Sequence, residues 1–561
     1  MLFGDYTLYT EKTISVTVAA ILRNPTAWHG TRFTDPIAYG INAGNKRLVY
    51  ADLSDQGNPR LVCKEGNAAE YGLRSELAEI TIISGEQARV IDEIISIVQL
   101  TDDFYRRGGE LVRVVSGQIC VVNALWLMDY LSRCIRFLRP MKDGSLRHID
   151  ISRKLCDLVL VKVWELEVPP LRGVITAPTM RRDGTLVQKP GYDAQTALYL
   201  VAHGGPRIRN IKFSTRRLRE AFAELWAPFS EFPFVSAHDR GVMLAAIFTA
   251  IVRRSLPSAP AFSFDAPSAA SGKTLLASCL CVLSGQQPAP LPECGSDEEQ
   301  RKRLLAVLRE GAPVIFLDNI RGEFSSSALE AFLTSAEFKD RLLGQTEMLT
   351  FPTDVLVLIS GNNFLPKGDL YRRILTARID AGTDSPERRA FRIDPLEYCR
   401  ENRQGMVGAA LMLMGAYLKA GKRRMTRDRL ASYEAWDDIV RQAVIWMGAE
   451  GIADVADPTH CIHVAKTREP ERRQLGQFLV EAWELFGDGR WRVRDLIVLA
   501  NTDLRGILAE IAGQHGEINA LRLGRWIEHR CDVRVDGLVL QRAGEERRSA
   551  LWRVSPSLNQ T

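Results

Sequence analysis

The segment Asp265-Ala-Pro-Ser-Ala-Ala-Ser-Gly-Lys-Thr274 decides the reading of this chain, because it follows a strand-like run, Ala261-Phe-Ser-Phe264, and opens an apolar helix over 273–283. A loop set between a strand and a helix N-terminus presents consecutive backbone N–H groups to an anion. Here Ala266, Pro267, Ser268, Ala269, Ala270, Ser271 and Gly272 would cradle phosphate oxygens, Lys273 would reach the β- and γ-phosphates of ATP, and the Thr274 hydroxyl would bind Mg²⁺. The segment departs from GxxxxGK[ST] at its first glycine, which is Pro267, and Ala270 stands where many such loops have glycine. The plainer reading is an ordinary Ser-Gly-Lys-Thr turn.

Two further segments weigh against the plainer reading. Ala312-Pro-Val-Ile-Phe-Leu-Asp318-Asn319 is an apolar strand, 314–317, that ends in an acid, and a carboxylate there can hold the water shell of Mg²⁺ opposite Thr274. Val355-Leu-Val-Leu-Ile-Ser-Gly-Asn362-Asn363 again ends a buried strand, 355–359, in polar side chains, and an amide at that tip can orient water or a phosphate. Each alone is most simply a core strand or a Gly-Asn turn. Three strand ends in this order point to nucleotide hydrolysis on a parallel α/β sheet.

Outward from this core, 561 residues predict several domains at about 150 residues each. Hydrophobic residues at 46% and charged residues at 25% exclude a largely disordered or fibrous chain. The balance of 73 basic and 68 acidic residues, +5, is too small to diagnose nucleic-acid binding, so any DNA surface must be local. No apolar run reaches membrane-spanning length and residues 1–9 lack signal-peptide character, so the expectation is a soluble, cytoplasmic protein with no membrane partner. The ten cysteines are scattered without a CxxC pair and are read as reduced. The expected organisation is an α+β N-terminal domain (1–205), a helical connector (206–256), an α/β P-loop core (257–400), a helical region (401–452), a polar linker (453–472) and a C-terminal winged helix (473–561). Within the last, helical spacing over 475–486, 504–512 and 518–530 precedes strands at 533–540 and 550–554.

With these motifs on the page, the stretch from about 255 to 447 resembles the AAA+ ATPases, and more narrowly the superfamily-three-like replication helicases of phages, plasmids and genomic islands. The resemblance implies ATP and Mg²⁺ as cofactors, ATP hydrolysis, and a self-assembled ring, expected as a hexamer, around single-stranded DNA. It implies Asp318 as the Walker B acid and Gly361-Asn362-Asn363 as sensor 1. Phe338-Lys-Asp-Arg-Leu-Leu-Gly-Gln-Thr346 is similar to the stretch that carries pore residues, which makes Lys339 and Arg341 DNA contacts. Gly368-Asp-Leu-Tyr-Arg372-Arg373-Ile-Leu-Thr-Ala-Arg378-Ile-Asp380 resembles the arginine-bearing stretch that reaches a neighbour's ATP site, so Arg372 and Arg373 are arginine-finger candidates, with a solvated helix face as the rival account. Arg388 and Arg389 resemble a sensor 2 region. Many members have a water-activating glutamate after the acid, where this chain has Asn319. Glu298 and Glu299 are possible substitutes, or else lie on a solvated charged helix.

Phe104-Tyr-Arg-Arg-Gly-Gly109, Leu171-Arg-Gly-Val-Ile-Thr-Ala-Pro178-Thr-Met-Arg-Arg-Asp183-Gly184 and Pro190-Gly-Tyr-Asp193-Ala-Gln-Thr-Ala-Leu-Tyr199 resemble the region that precedes the ATPase in primase-helicase proteins. His148-Ile-Asp150 lacks the second carboxylate that a two-metal polymerase site needs, so no primer synthesis is expected and a separate primase or polymerase is a candidate partner. Two basic clusters, Arg207, Arg209, Lys212, Arg216, Arg217 and Arg219, and Lys422, Arg423, Arg424, Arg427 and Arg429, read equally as phosphate contacts or solvated faces. Leu521-Arg-Leu-Gly-Arg525-Trp-Ile-Glu-His-Arg530 resembles a recognition helix, with Arg522, Arg525 and Arg530 as duplex contacts; the rival is a protein-docking winged helix. His460-Cys-Ile-His463 alone is too few ligands for a metal site. The functional expectation is an ATP-driven DNA helicase or replication-initiation ATPase of a mobile element, with a nucleotide-switched DNA-binding regulator or defence scaffold as the alternative.

Overall fold

The computed structural model describes residues 7–10, 15–34, 48–54, 59–62, 70–73, 77–99, 103–201, 214–341, 348–383, 386–421, 424–468, 470–514, 517–546 and 549–556. Arg207, Arg209, Lys212, Lys422, Arg423 and the segment 342–346 lie outside them. The chain forms two compact units, Met1–Phe364 with Arg372–Thr459, and Leu365–Tyr371 with His460–Thr561.

The elements that build the centre of the first unit are α1 (Ala237–Val252), β1 (Ala261–Ala266), α2 (Lys273–Ser284), β2 (Pro290–Pro292), α3 (Asp297–Glu310), β3 (Val314–Phe324), α4 (Ser327–Thr334), β4 (Glu337–Arg341), β5 (Met348–Pro352), β6 (Leu356–Pro366), β7 (Ile374–Arg378) and α5 (Pro395–Lys419). Five strands form one sheet in the order β2-β3-β6-β1-β7, with β2–β3, β6–β1 and β1–β7 parallel. Every residue of β1 is buried, as expected of a parallel strand covered on both faces. The proline-bearing β2 stands at the edge, where a missing N–H costs no ladder bond. The sheet follows the expected strand–helix order, and adds β2 and β7, which are too short and too polar at their ends to announce themselves as strands.

Helix boundaries follow local chemistry. Ser296 accepts the N–H of Glu299 at the start of α3, whose first turn carries Asp297, Glu298 and Glu299 against the positive end of the helix dipole. Gly311 ends α3 at a φ of 77°, and Gly285 ends α2 at 91°.

Several expected boundaries differ. The connector 206–256 contains α1, which is buried from Gly241 to Val252 and belongs to the core of the unit. Its apolar residues surround the helix rather than forming a stripe, which is the pattern of a buried helix. Among the described residues the span 1–205 holds separate cores rather than one: one from Leu8 to Leu73, one from Ile80 to Val168, and a small cluster of Tyr105, Val112 and Leu171. The polar stretch 453–472 is no single linker: Asp454 pairs with Arg240, Asp457 pairs with the buried Arg441, and His460–Arg468 is helical. Its acids read as solvent-seeking in sequence because their arginine partners lie far along the chain.

In the second unit, helices Val493–Leu499, Thr502–Ala512 and Ala520–Glu528 follow the long helix Pro470–Phe486 and precede a three-stranded antiparallel sheet, Arg534–Val535, Leu538–Glu546 and Ser549–Pro556. Leu475, Phe478, Leu496, Leu508, Leu523 and Val554 meet in its core, and Trp491 exchanges backbone bonds of 2.9 and 2.8 Å with Trp552. The strand expected over 533–540 is broken by a turn at Asp536 and Gly537, with φ of 49° and 80°, and the helix expected over 518–530 ends at Glu528.

Candidate functional site

The site is built where β1 ends beside the first turn of α2 and where the apolar halves of β3 and β6 give way to polar residues; both of these strands run on beyond their expected ends at 317 and 359, to Phe324 and Pro366. The registry between β1 and β6 places Asn362 opposite Ala266, the first residue of the loop. Within the loop, Ser271 is buried and its hydroxyl donates to the Ser268 carbonyl at 2.8 Å, and Lys273 Nζ donates to the same carbonyl at 2.8 Å. Gly272 opens α2 at a φ of 95°, and a Cβ there would lie 2.8 Å from Phe232 Cε1, so only glycine fits. Ala270 also adopts the left-handed region, at 56°, which a non-glycine residue enters at a cost of about 1–2 kcal/mol.

Thr274 Oγ1 donates to Asp318 Oδ1 at 3.0 Å, so the helix start and the end of the β3 core are joined across the intervening strand. The hydroxyl of Ser360, on that intervening strand, donates to the same carboxylate oxygen and accepts the backbone N–H of Asn319 at 3.1 Å. Asn319 and Asn363 hold left-handed backbone at 62° and 50°, and both side chains are exposed. Asn362 Oδ1 is buried and has no hydrogen-bond partner among the described residues. A buried carbonyl oxygen is ordinarily met by a donor, so this one is open to a water or a ligand N–H or O–H group.

Two charges sit beneath the loop. Burial pushes the Lys273 ammonium below its ordinary pKa, with Asp265 and Asp318 opposing the shift. Burial also raises the Asp265 carboxyl, whose oxygens accept the Phe364 N–H at 2.9 Å and Arg378 Nη1 at 2.8 Å. Ser360, Asp265 and Arg378 therefore belong to the site. All three lay inside the motif segments, but a serine before Gly-Asn, an acid before a loop and one more arginine in an arginine-bearing stretch carry no signal of their own. Thr274 and Asp318 offer hard oxygen donors from two elements, which fits Mg²⁺ held mainly by phosphate and water. Among the described residues no group of three or more His, Cys, Asp or Glu gathers as a metal site, His460 and Cys461 included.

Other expected site residues lie elsewhere. Arg373 is half-buried and donates to the Glu330 carbonyl of α4 and, at 3.5 Å, to the hydroxyl of Thr334, the last residue of that helix. Arg372, at the end of the turn Gly368–Arg372, is exposed. Glu298 and Glu299 form i,i+4 pairs with Lys302 at 2.6 Å and Arg303 at 3.1 Å, which is the solvated-helix arrangement. Arg389 donates to the Glu231 carbonyl at 2.5 Å and lies over the Phe391 ring.

Lys339 and Arg341 project from the same face of β4, which pairs antiparallel with β5 as a hairpin, while Phe338 and Phe351 turn inward. In the second unit, Arg522 and Arg525 are exposed on Ala520–Glu528 while Leu523 and Ile527 are buried. Arg530 lies beyond the helix end and stacks on the Trp526 ring at 4.4 Å.

The segment Phe104–Gly109, which carried resemblance but no chemistry, is a docking surface. Arg107 is buried and donates to Leu308 O at 2.5 Å and Arg309 O at 3.1 Å, capping the C-terminus of α3. Its guanidinium also covers the Phe351 ring of β5 at 4.8 Å, and burial pulls its pKa down to about 10. Glu110 pairs with Arg309 at 2.6 Å and Arg172 with the buried Asp354 at 3.1 Å.

Fold and site together define a multidomain α/β protein whose parallel sheet gathers polar side chains of three adjacent strands beside the start of one helix. No protein-family model matches the sequence, and no curated protein matches it. Among solved structures, two of the apo A form of the NrS-1 C-terminal region are similar: one at 11% identity and TM-score 0.34, covering 77% of this chain and 99% of that one, the other at 10% and 0.35, covering 77% and 100%. A structure titled as SCCmec type IV Cch, an active helicase, is similar at 11% identity and TM-score 0.31, covering 81% of this chain and 97% of that one. At TM-scores below 0.5 these likenesses carry none of the reasoning below. Among the described residues, no helix is long and apolar enough to cross a membrane.

Proposed function

We propose that this chain binds Mg²⁺-ATP at the loop 266–274 and hydrolyses it to drive movement on DNA. The observation that carries the reading is the 3.0 Å bond between Thr274 Oγ1 and Asp318 Oδ1, at the mouth of a phosphate-sized loop that ends on a helix N-terminus. Lys273 and the loop N–H groups hold the phosphates, and Asp318, fixed by Ser360, holds the water shell of the ion. Mg²⁺ supplies charge neutralisation between phosphate oxygens when bound. Asn362, with its unpartnered buried oxygen beside the loop, orients the attacking water or the γ-phosphate. The resemblance in sequence assigns the finer parts of the reading: an AAA+ ring, expected as a hexamer, with Arg372 or Arg373 reaching the neighbour's site, Lys339 and Arg341 on single-stranded DNA in the pore, and the C-terminal unit as a winged helix that meets duplex DNA through Arg522 and Arg525. A mobile-element helicase working in the cytoplasm, with a separate primase or polymerase, completes it.

One observation favours the second reading, a nucleotide-switched DNA-binding regulator that turns ATP over slowly. Asn319 cannot accept a proton from water, and Glu298 and Glu299 are both engaged by cations of their own helix. Steady-state ATPase with and without single-stranded DNA, beside a strand-displacement assay on a forked duplex, separates the readings. DNA-stimulated hydrolysis with unwinding supports the motor. ATP binding with slow, DNA-independent turnover supports the switch, and no ATP binding removes both.

A further inference from the structure

A cavity of about 700 Å³ opens in the first unit, lined from the N-terminal side by residues between Arg172 and Thr196 and from the other by Tyr417, Arg424, Arg429, Ala435, Asp438 and Ile439. It shares no residue with the loop 266–274, Asp318 or the strand-end asparagines. Its size falls in the range of small-ligand sites. Five arginines line it, Arg172, Arg181, Arg182, Arg424 and Arg429, against two carboxylates, Asp183 and Asp438.

Four of these arginines are held from behind or beside. Arg172 is anchored by Asp354 at 3.1 Å, Arg181 by Asp193 at 2.5 Å, Arg424 by Asp437 at 2.8 Å and Arg429 by Asp438 at 2.9 Å. These acids offset the charge but fix the guanidinium planes, and a guanidinium has five N–H donors, more than one carboxylate takes. Asp183 is turned into its own loop, accepting the Thr185 N–H at 2.8 Å and its hydroxyl at 2.6 Å. Arg182 is exposed and has no hydrogen bond or ion pair among the described residues, so it adds uncompensated charge to the cavity. A second, independent observation lies in the wall: Ser255 lines the cavity, is 6% exposed, and its hydroxyl has no partner among the described residues. A buried hydroxyl beside oriented guanidiniums calls for an acceptor-rich ligand.

We propose that this cavity binds a phosphate-bearing ligand of nucleotide size, at a site distinct from the loop 266–274. Such phosphates come either from a free nucleoside triphosphate or from a few nucleotides of a single strand. Both present several oxygens at the spacing of oriented guanidiniums.

The test uses the full chain carrying Lys273→Ala, so that it is independent of ATP hydrolysis at the strand-end site. Binding of fluorescent ATP and of fluorescein-labelled hexathymidylate is measured at fixed salt, with inorganic tripolyphosphate as competitor. The expected result is that one probe binds, is displaced by tripolyphosphate, and is weakened about tenfold by Arg182→Glu. Arg153→Glu, an equal charge change at an exposed arginine outside the cavity, leaves that affinity within about twofold. Ser255→Ala, which adds no charge and little strain, weakens the same probe in the same direction. Binding of ATP identifies the free nucleotide as the source, and binding of hexathymidylate alone identifies the strand. Neither probe showing tripolyphosphate-sensitive binding overturns the proposal, as does an Arg182→Glu effect no larger than that of Arg153→Glu.

Discussion

The hydroxyl of Ser360 donates to the carboxylate of Asp318 across two neighbouring strands, on the same oxygen that Thr274 reaches at 3.0 Å. Asp318 is therefore held in one orientation by groups from β6 and α2. Partners that orient a metal-binding carboxylate typically matter by 10–100-fold. Ser360→Ala should lower kcat for ATP hydrolysis by about tenfold or more and leave nucleotide binding without Mg²⁺ unchanged. A steady-state ATPase assay beside a binding titration reads both, and an unchanged kcat would remove Ser360 from the site. Lys273→Ala should abolish hydrolysis, and Asp318→Asn should suppress turnover while binding persists.

The loop stores backbone strain at one position and depends on glycine at the next but one. Gly272→Ala forces a Cβ into the left-handed region and to within 2.8 Å of Phe232, so nucleotide binding should fall and the melting temperature should drop. Ala270→Gly should do the opposite. It removes about 1–2 kcal/mol of left-handed strain and adds about 0.5–1 kcal/mol of chain entropy, for a small net gain in stability. Differential scanning fluorimetry of the two variants should move in opposite directions.

Arg107 closes α3 from another part of the chain. Arg107→Ala leaves two helix-end carbonyls without their donor and uncovers Phe351, and should destabilise the first unit by about 2–3 kcal/mol. Arg107→Lys restores the charge but not the fork, so it should rescue little. Denaturant titration checks both, and a Lys variant as stable as wild type would mean that charge alone suffices.

Arg372 and Arg373 differ in setting. Arg373 donates to the Glu330 carbonyl of α4 and is half-buried, while Arg372 is exposed. If the chain assembles as proposed, Arg372→Ala mixed with Lys273→Ala should recover ATPase above either parent, because an arginine supplied from a neighbour contributes about 10³-fold or more. Arg373→Ala should instead lower stability. Labelled protein verifies subunit exchange, and rescue by Arg373→Ala alone would reverse the assignment.

In the second unit, Arg522→Ala and Arg525→Ala should weaken duplex binding, and Arg530→Ala should chiefly lower stability by uncovering Trp526. Fluorescence anisotropy at matched salt, with a thermal melt of each variant, separates the two effects. Equal loss of affinity in all three, with unchanged melts, would return Arg530 to the DNA-contact set.

Much of the central sheet was legible in sequence, because β1, β3 and β6 are apolar runs ended by polar residues, and α2 begins where Gly272 permits its loop. Local propensity and burial write such elements directly into the residue order. What only the tertiary structure decided depends on partners distant in the chain. Ser360 becomes a support for Asp318 only once β6 lies beside β3, and Arg107 becomes a helix cap only when it meets Leu308, about two hundred residues away. Asp457 read as part of a polar linker, yet it is tied to the buried Arg441. A charged side chain looks solvent-seeking until its counter-charge is known, and that knowledge resides in the fold.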